Sequence, residues 1–371
     1  MLIANFLKTM IRENASDLFI TAGTPPGIKV DGEIAPLHDV ALTAEQSRDL
    51  VYSIMNEEQS REFESTRECN FAIHAPDIGR FRVNVFKQRG QVGMVLRKIL
   101  THIPELEELH LPLVLRDLVM QKRGLIIMVG GTGTGKSTTQ ASMVGYRNVH
   151  SFGHIVTVED PIEYLHEPRN CVITQREVGV DTASFDIALK NAMRQAPDVI
   201  QIGEIRSRET MDNAIVFAET GHLCLATLHA NNTYQALDRV INFFPEDRRD
   251  QLLMDLSMNL KALISQRLLP VLKGKGRVPA VEIMINTPLV SDLIYRGKVS
   301  EIEDVIVRSR ESGMQSFDQS LFELYDENLV SYEEVIKNAT SQNNLRLRIK
   351  LESRAALDKA NRGSSMSNTT F

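Results

Sequence analysis

Short apolar and alternating runs dominate the first hundred residues of the chain. Residues 2–14 carry apolar side chains at helical spacing, and alternating or apolar runs predict strands at 18–21, 69–73, 79–88 and 91–98. A hairpin is expected around Asp31-Gly32, and a capping box at Thr43 and Gln46 predicts a helix as far as Met55. Residues 1–100 are therefore predicted to form a small mixed α/β domain.

A second pattern, strand followed by helix, begins after a linker predicted at residues 101–112, which contain Pro104 and Pro112. Between residues 113 and 285, strands are expected at 125–129, 155–158, 171–174, 199–202, 223–227 and 279–285, with helices at 138–149, 185–193 and 208–219. Such alternation favours a largely parallel sheet covered by helices. The leucine-rich segment 248–268 has one apolar stripe and is expected to be an amphipathic helix packed on the core.

The C-terminal part of the chain has mostly helical patterns over residues 286–352, followed by a segment with little apolar periodicity. Residues 353–371 are predicted to be a disordered tail. No run approaches the ~18 apolar residues of a membrane-spanning helix, so any membrane contact is expected to go through a partner.

Composition narrows the function classes. The chain has 371 residues, enough for ~2–3 domains at roughly 150 residues each. Its net charge of −6 disfavours a generally basic nucleic-acid binder. The three cysteines have no paired spacing, which argues against a disulfide framework or a zinc site and favours a reducing cytosol.

A glycine-rich loop follows the strand predicted at 125–129. Gly130, Gly135, Lys136 and Ser137 match G-x-x-x-x-G-K-[ST] at every fixed position. Backbone N–H groups of such a loop surround phosphates, the lysine reaches the β- and γ-phosphates, and the serine binds Mg²⁺. The expected nucleotide contacts are Gly130, Gly131, Thr132, Gly133, Thr134, Gly135, Lys136, Ser137 and Thr138.

Carboxylates follow two of the predicted strands. Glu204 comes directly after strand 199–202, and Glu159, Asp160 and Glu163 follow strand 155–158. In parallel sheets, ligands bind at the carboxyl ends of the strands, where such acids can activate water or hold Mg²⁺. Glu204 is the preferred candidate, binding Mg²⁺ directly or through water. The strand order alone does not choose between Glu159 and Glu163.

Two histidines bracket strand 223–227. His229 lies at the carboxyl end and is expected near the nucleotide, whereas His222 lies roughly 23 Å away in extended chain and so cannot share one phosphate with it. His222 is a candidate for an interface or a neighbouring subunit, and it is included among the expected nucleotide-binding residues.

Arginines alternate with apolar residues near residue 80. Arg80 and Arg82 are expected on one face of a strand, with Arg97 nearby in sequence. Two interpretations stay open from the pattern: a solvated sheet face, or a set of cations that binds phosphate or a partner.

Four segments together resemble the motifs of the secretion-superfamily ATPases. The loop at 130–137, residues 157–163, 198–206 and 220–229 resemble their Walker A, Asp box, Walker B and His box. Residues 15–32 resemble the N-terminal domain of the type IV pilus retraction ATPases. The chain is identified on these segments as a member of the PilT/PilU twitching-motility family.

The resemblance implies a PAS-like N-terminal α+β domain followed by a RecA-like P-loop ATPase domain with a helical C-terminal extension. It implies ATP and Mg²⁺ as cofactors, with Glu163 and Glu204 activating water. Arg80, Arg82 and Arg97 become candidates for γ-phosphate or interface contacts. It also implies a homo-hexamer in the cytoplasm, peripheral at the inner membrane through the pilus platform protein, with neither nucleic-acid binding nor direct membrane insertion.

One departure from the family pattern bears on function. Residues 287–294 stand where retraction motors have a motif with an arginine, and this chain lacks that arginine. The departure favours an accessory role beside a PilT-like paralogue. Three alternatives stay open: a pilus assembly ATPase, whose extra N-terminal domain and cysteine zinc site are not expected here, a nucleic-acid translocase, and a non-hydrolysing adaptor.

Overall fold

The computed structural model describes residues 3–30 and 32–353. Predictions that involve Leu2, Asp31 or the tail from residue 354 lie outside the described residues. By their contacts, the residues form two compact units. The first extends to His102 and includes Asp160–Leu165 and Arg176–Ser184, and the second contains Ile103–Glu159, His166–Gln175 and the chain from Phe185 onward.

The first unit is built on an antiparallel sheet in the order β3-β2-β1-β6-β5-β4. Its helices and strands are α1 (Ile3–Arg12), β1 (Asp17–Thr21), β2 (Gly27–Val30), β3 (Glu33–Pro36), α2 (Ala44–Tyr52), α3 (Glu57–Thr66), β4 (Glu68–Ala75), β5 (Gly79–Gln88) and β6 (Gln91–Ile99). The predicted capping box is confirmed, since Thr43 and Gln46 exchange side-chain and backbone hydrogen bonds. A core that includes Leu7, Leu18 and Phe81 forms between the helices and one face of the sheet.

The second unit contains the predicted strand–helix alternation. Its elements are α4 (Val114–Val119), β7 (Gly124–Val129), α5 (Lys136–His150), β8 (Gly153–Glu159), β9 (Cys171–Glu177), α6 (Phe185–Ala192), β10 (Val199–Ile202), α7 (Arg208–Glu219), β11 (Leu223–Leu228), α8 (Thr233–Asn242), α9 (Arg249–Asn259), β12 (Leu260–Pro270), β13 (Arg277–Ile285), α10 (Pro288–Tyr295), α11 (Ile302–Arg308), α12 (Phe317–Asp326), α13 (Tyr332–Asn338) and α14 (Gln342–Glu352). The last two residues of β9 count with the first unit.

The sheet of the second unit has the order β13-β12-β7-β11-β10-β8-β9. Strands β12, β7, β11, β10 and β8 run parallel, and β13 is antiparallel to β12. Every residue of β7, β10 and β11 is buried, which is typical of a sheet covered on both faces. The carboxyl ends of β7, β8, β10 and β11 therefore meet at one edge, and the predicted parallel sheet is confirmed.

The prediction of a continuous helix over residues 248–268 is wrong in its second half. The helix α9 ends at Asn259, and β12 begins at Leu260, where the backbone becomes extended. Most of β12 is buried, so its run of apolar residues satisfies helical spacing by chance while the strand pairs with β7 and β13.

Among the helices formed by residues 3–353, we find none with both the length and the apolar character to cross a membrane.

Candidate active site

The glycine-rich loop curves around the side chain of Lys136. The loop joins the end of β7 to the start of α5, and the Lys136 Nζ donates hydrogen bonds to the carbonyls of Gly130 (2.9 Å) and Gly131 (2.7 Å). Thr134 Oγ1 donates to the Gly131 carbonyl at 3.0 Å and closes the turn. The loop thus holds a buried ammonium at the N-terminal end of a 15-residue helix, where the helix dipole also favours an anion.

The structure gives a separate reason why each of the two fixed positions of the motif, Gly130 and Gly135, is occupied by glycine. A Cβ on Gly130 would lie 2.4 Å from Thr134 Oγ1. Gly135 has φ +87°, and a Cβ there would lie 2.6 Å from Gln266 Nε2. A larger residue at either position would have to displace these neighbours. The loop is therefore closely packed at both glycines, and phosphate binding by the loop stays a prediction.

Glu204 and His229 meet at the carboxyl edge of the sheet. Glu204 Oε1 lies 3.2 Å from His229 Nε2, and Oε2 accepts a hydrogen bond from Arg206 Nε at 2.7 Å. The backbone beside Glu204 is fixed as well, because Thr227 Oγ1 donates to the Gly203 carbonyl. The Glu204 side chain is only 18% exposed, so its position is set by these contacts. This pairing agrees with the expectation that His229 lies at the ligand edge.

A cleft of about 570 Å³ joins the loop to the histidine. Gly131 and His229 both line it, together with polar residues that follow β11 and continue into α8: Asn231, Gln235, Asp238, Arg239 and Asn242. Open space between a glycine-rich loop and polar side chains can accept the polar part of a ligand.

The three acids after β8 have different surroundings. Glu159 is buried at the end of β8, and its Oε1 accepts hydrogen bonds from Thr157 Oγ1 (2.6 Å) and Gln175 Nε2 (3.3 Å). Asp160 and Glu163 count with the first unit instead. Glu163 is exposed, and its backbone carbonyl accepts a hydrogen bond from the Leu100 N–H. The structure therefore separates Glu159, which is buried and hydrogen-bonded by its neighbours, from Glu163, which is an exposed residue.

Oxygen groups suited to Mg²⁺ are present at the start of α5 and after β10, at one edge of the sheet. Ser137 is the second residue of α5, directly after Lys136, and Glu204 follows β10. Mg²⁺ is commonly held by one or two protein oxygens together with phosphate oxygens and water. Within residues 3–30 and 32–353, no cluster of three or more His, Cys, Asp or Glu side chains has the arrangement of a self-sufficient metal site. The residues fit a metal that arrives with a nucleotide.

Comparison with known proteins identifies the family of the chain. A family model described as type II/IV secretion system protein matches residues 1–308. The type IV pilus ATPase PilU of Pseudomonas aeruginosa is 58% identical over 352 residues, which cover 95% of this chain and 92% of PilU. The chain belongs to the type IV pilus ATPase family.

Two further relatives agree with this assignment. The type IV pilus retraction ATPase PilT of Pseudomonas aeruginosa is 40% identical over 337 residues, 91% of this chain and 98% of PilT. A crystal structure of the pilus retraction motor PilT with bound ADP superposes with a TM-score of 0.87 at 39% identity, covering 93% of this chain and 99% of that one. The expected fold class and the expectation of an ATPase are confirmed.

In this family member, the arginines near residue 80 share one sheet face. Arg82 on β5 is directly opposite Arg97 on β6, and Arg80 lies two residues from Arg82 on the same side. Arg97 Nε pairs with Asp17 Oδ1 at 2.7 Å, although the Arg97 side chain stays 68% exposed. The predicted shared face of Arg80 and Arg82 is confirmed, and whether it binds phosphate stays a prediction.

Glu177 contacts this arginine face and was not singled out from the sequence. Its side chain is 4% exposed, its Oε2 accepts the Ile162 N–H at 3.1 Å, and its Oε1 lies 3.9 Å from Arg82 Nε. Burial raises the pKa of Glu177, while the Ile162 N–H and Arg82 oppose that rise. Glu177 thus links Arg82 to the segment that carries Glu163. The sequence feature that could have identified Glu177 is an acidic residue at the end of a strand, which is also the feature that identified Glu204.

His222 lies at the opposite edge of the sheet from the glycine-rich loop. It precedes β11, and its Nδ1 lies 3.0 Å from Thr220 Oγ1 and 3.2 Å from the Phe217 carbonyl. The first residue of β7, Gly124, donates its N–H to the His222 carbonyl. A nucleotide contact by His222 therefore stays a prediction, and it requires a second subunit.

Proposed function

We propose that the chain is a Mg²⁺-dependent ATP hydrolase in a homo-hexameric motor that powers or assists type IV pilus retraction, and hence twitching motility. The observation that carries the proposal is the position of the Glu204–His229 pair at the same sheet edge as the Lys136 loop. The Lys136 loop binds a triphosphate, and the Glu204–His229 pair acts on a water molecule beside it. The names of PilU and PilT supply the pilus context.

The proposed reaction assigns a task to each group. The loop N–H groups and Lys136 bind the phosphates, and Ser137 and Glu204 hold Mg²⁺, which neutralises charge on the phosphate oxygens. Glu204 or Glu163 orients and deprotonates the attacking water. His229 fixes the Glu204 carboxylate, which is within 3.2 Å of its Nε2. Arg80, Arg82 and Arg97 contact the γ-phosphate or a subunit interface.

The proposed cellular role follows from the relatives and from one departure. The motor is cytoplasmic and docks on the inner-membrane platform protein of the pilus machine. The departing segment 287–294 forms α10, in which Thr287 caps the helix and Pro288 is its first residue. Because the expected arginine is absent there, we propose that the chain assists a PilT-like paralogue instead of acting alone.

The decisive test compares purified wild-type protein with Lys136→Ala, with and without Mg²⁺. Wild type should hydrolyse ATP only with Mg²⁺, and Lys136→Ala should lose turnover while remaining folded, as judged by a cooperative thermal unfolding transition. ATP turnover by Lys136→Ala at the wild-type rate would refute the assignment of the loop. Hydrolysis stimulated by DNA would favour a translocase.

The same variant tests the role in the cell. In a deletion strain, wild-type protein should restore twitching and Lys136→Ala should not. Restoration by Lys136→Ala would favour the non-hydrolysing adaptor.

A further inference from the structure

Gln266 lies against the glycine-rich loop and is absent from every motif of the sequence analysis. It is a residue of β12, the strand next to β7, and only 3% of its surface is exposed. Its Nε2 donates a hydrogen bond to the Thr134 carbonyl, and its Oε1 accepts one from Thr139 Oγ1, both at 2.8 Å. One side chain therefore connects the loop to the first turns of α5.

The orientation of this amide is fixed by its partners. A backbone carbonyl only accepts hydrogen bonds, so the NH₂ group of Gln266 must face Thr134. The amide oxygen then faces the hydroxyl of Thr139, which can donate. Both ends of the side chain are satisfied in a buried place, and exchanging the two ends would leave two acceptors facing each other.

Holding the Thr134 carbonyl also fixes the next N–H. In a trans peptide the carbonyl and the following N–H point in opposite directions, so the Gly135 N–H is directed away from Gln266. Without such a tether, a peptide before glycine can rotate easily, because glycine accepts many backbone conformations. Gly135 also leaves room for the contact, since a Cβ there would lie 2.6 Å from Gln266 Nε2.

We propose that Gln266 is a positioning residue for nucleotide binding: it holds the Thr134–Gly135 peptide so that the Gly135 N–H faces the phosphates. The inference rests on the proposed function, in which this loop binds ATP. Gln266 does not touch the nucleotide. It acts by keeping one N–H donor in place before the phosphate arrives, so that binding need not reorganise the loop.

Three variants of the full chain separate this role from simple packing. Gln266→Glu keeps the shape but removes the donor to Thr134 and adds a charge. Gln266→Met keeps the length without hydrogen bonds. Thr139→Val is the matched control, because it removes the Oε1 partner and leaves the Nε2 bond to Thr134 intact. The dissociation constant is measured for a fluorescent ATP analogue, and for inorganic pyrophosphate by competition, beside the thermal unfolding midpoint.

Loss of an oriented donor to a charged group should weaken binding of both probes about 10- to 100-fold in the Gln266 variants, with Gln266→Glu the weaker binder. Thr139→Val should stay within about threefold of wild type, since the donor remains oriented. In turnover, KM should rise more than kcat falls. A packing role alone would lower the midpoint and leave the affinity of the folded protein unchanged.

Two results would overturn the inference. One is wild-type affinity in Gln266→Met, which also decides the matter if Gln266→Glu does not fold. The other is an equal loss in Thr139→Val and Gln266→Met. Failure of wild type to bind either probe would instead refute the proposed function, so the two failures are distinguishable.

Discussion

Glu204 contacts a base and a cation at once, and this makes its role testable by single substitutions. Glu204→Gln keeps the size of the side chain but removes the charge that can take a proton from water or hold Mg²⁺. We expect it to retain ATP binding and to lose ATP turnover by ~100-fold or more. Binding is measured with a fluorescent analogue and turnover by phosphate release.

Glu163→Gln is the matched comparison, because it makes the same change at the other candidate base, an exposed residue in the segment after β8. If Glu204→Gln keeps its turnover while Glu163→Gln loses it, Glu163 is the general base and Glu204 is not.

His166 predicts a particular sensitivity to acid. It is buried, its Nδ1 has no hydrogen-bond partner among the described residues, and burial lowers its pKa to about 4. An unfolded histidine has a pKa near ~6.5, so the unfolded chain binds the extra proton first as the pH falls. The contribution of the neutral, buried His166 to the free energy of unfolding is fully present above about pH 6.5 and is lost as the pH falls toward 4.

The substitution His166→Leu removes this titration. The thermal midpoint of the variant should fall less between pH 7.5 and pH 5 than that of wild type, since about 1 kcal/mol per pH unit is at stake in that window. His102→Asn, at an exposed histidine, is the control and should follow the wild-type curve. If the thermal midpoints of His166→Leu and wild type fall equally as the pH is lowered, His166 does not cause the sensitivity to acid.

At the scale of elements, sequence patterns predicted the helices and strands that are determined by neighbouring residues. The strands before each motif, the capping box at Thr43 and the helices after residue 286 depend on nearby residues, and the structure contains them. The strand β12 depends on pairing with β7, more than a hundred residues earlier, and its apolar spacing imitated a helix. Gln266 was missed for the same reason, because nothing local marks a residue that meets the loop only through that pairing.

The loop offers a prediction at this scale, since its glycines are not equivalent. Gly135→Ala should weaken nucleotide binding more than 10-fold, because Gly135 has φ +87° and the new Cβ would displace Gln266. Gly131→Ala should cost clearly less, since its Cβ would meet Thr134 Cγ2 at an ordinary 3.9 Å. Titration with a fluorescent ATP analogue compares them. Equal losses would mean that the backbone conformation at Gly135 does not limit binding.

For the whole molecule, the chemistry is divided between the two units. The glycine-rich loop, Glu204 and His229 lie in the second unit, whereas the arginine face, Glu163 and Glu177 lie in the first. Sequence patterns predicted every member of this set except Glu177, but they did not predict the division, because the assignment of Asp160–Leu165 to the first unit depends on contacts with residues far away in sequence.

Coupling within the proposed ring makes a prediction about mixed assemblies. If subunits hydrolyse independently, adding Lys136→Ala subunits lowers ATP turnover in proportion to their fraction. If a nucleotide site needs groups or movements of its neighbours, one inactive subunit also impairs others in a closed ring. We expect equal mixtures, co-assembled from dissociated subunits, to have well below half of the wild-type turnover. Mixtures of wild type with preassembled Lys136→Ala rings are the control, and a strictly proportional loss in the co-assembled samples would show that the subunits work alone.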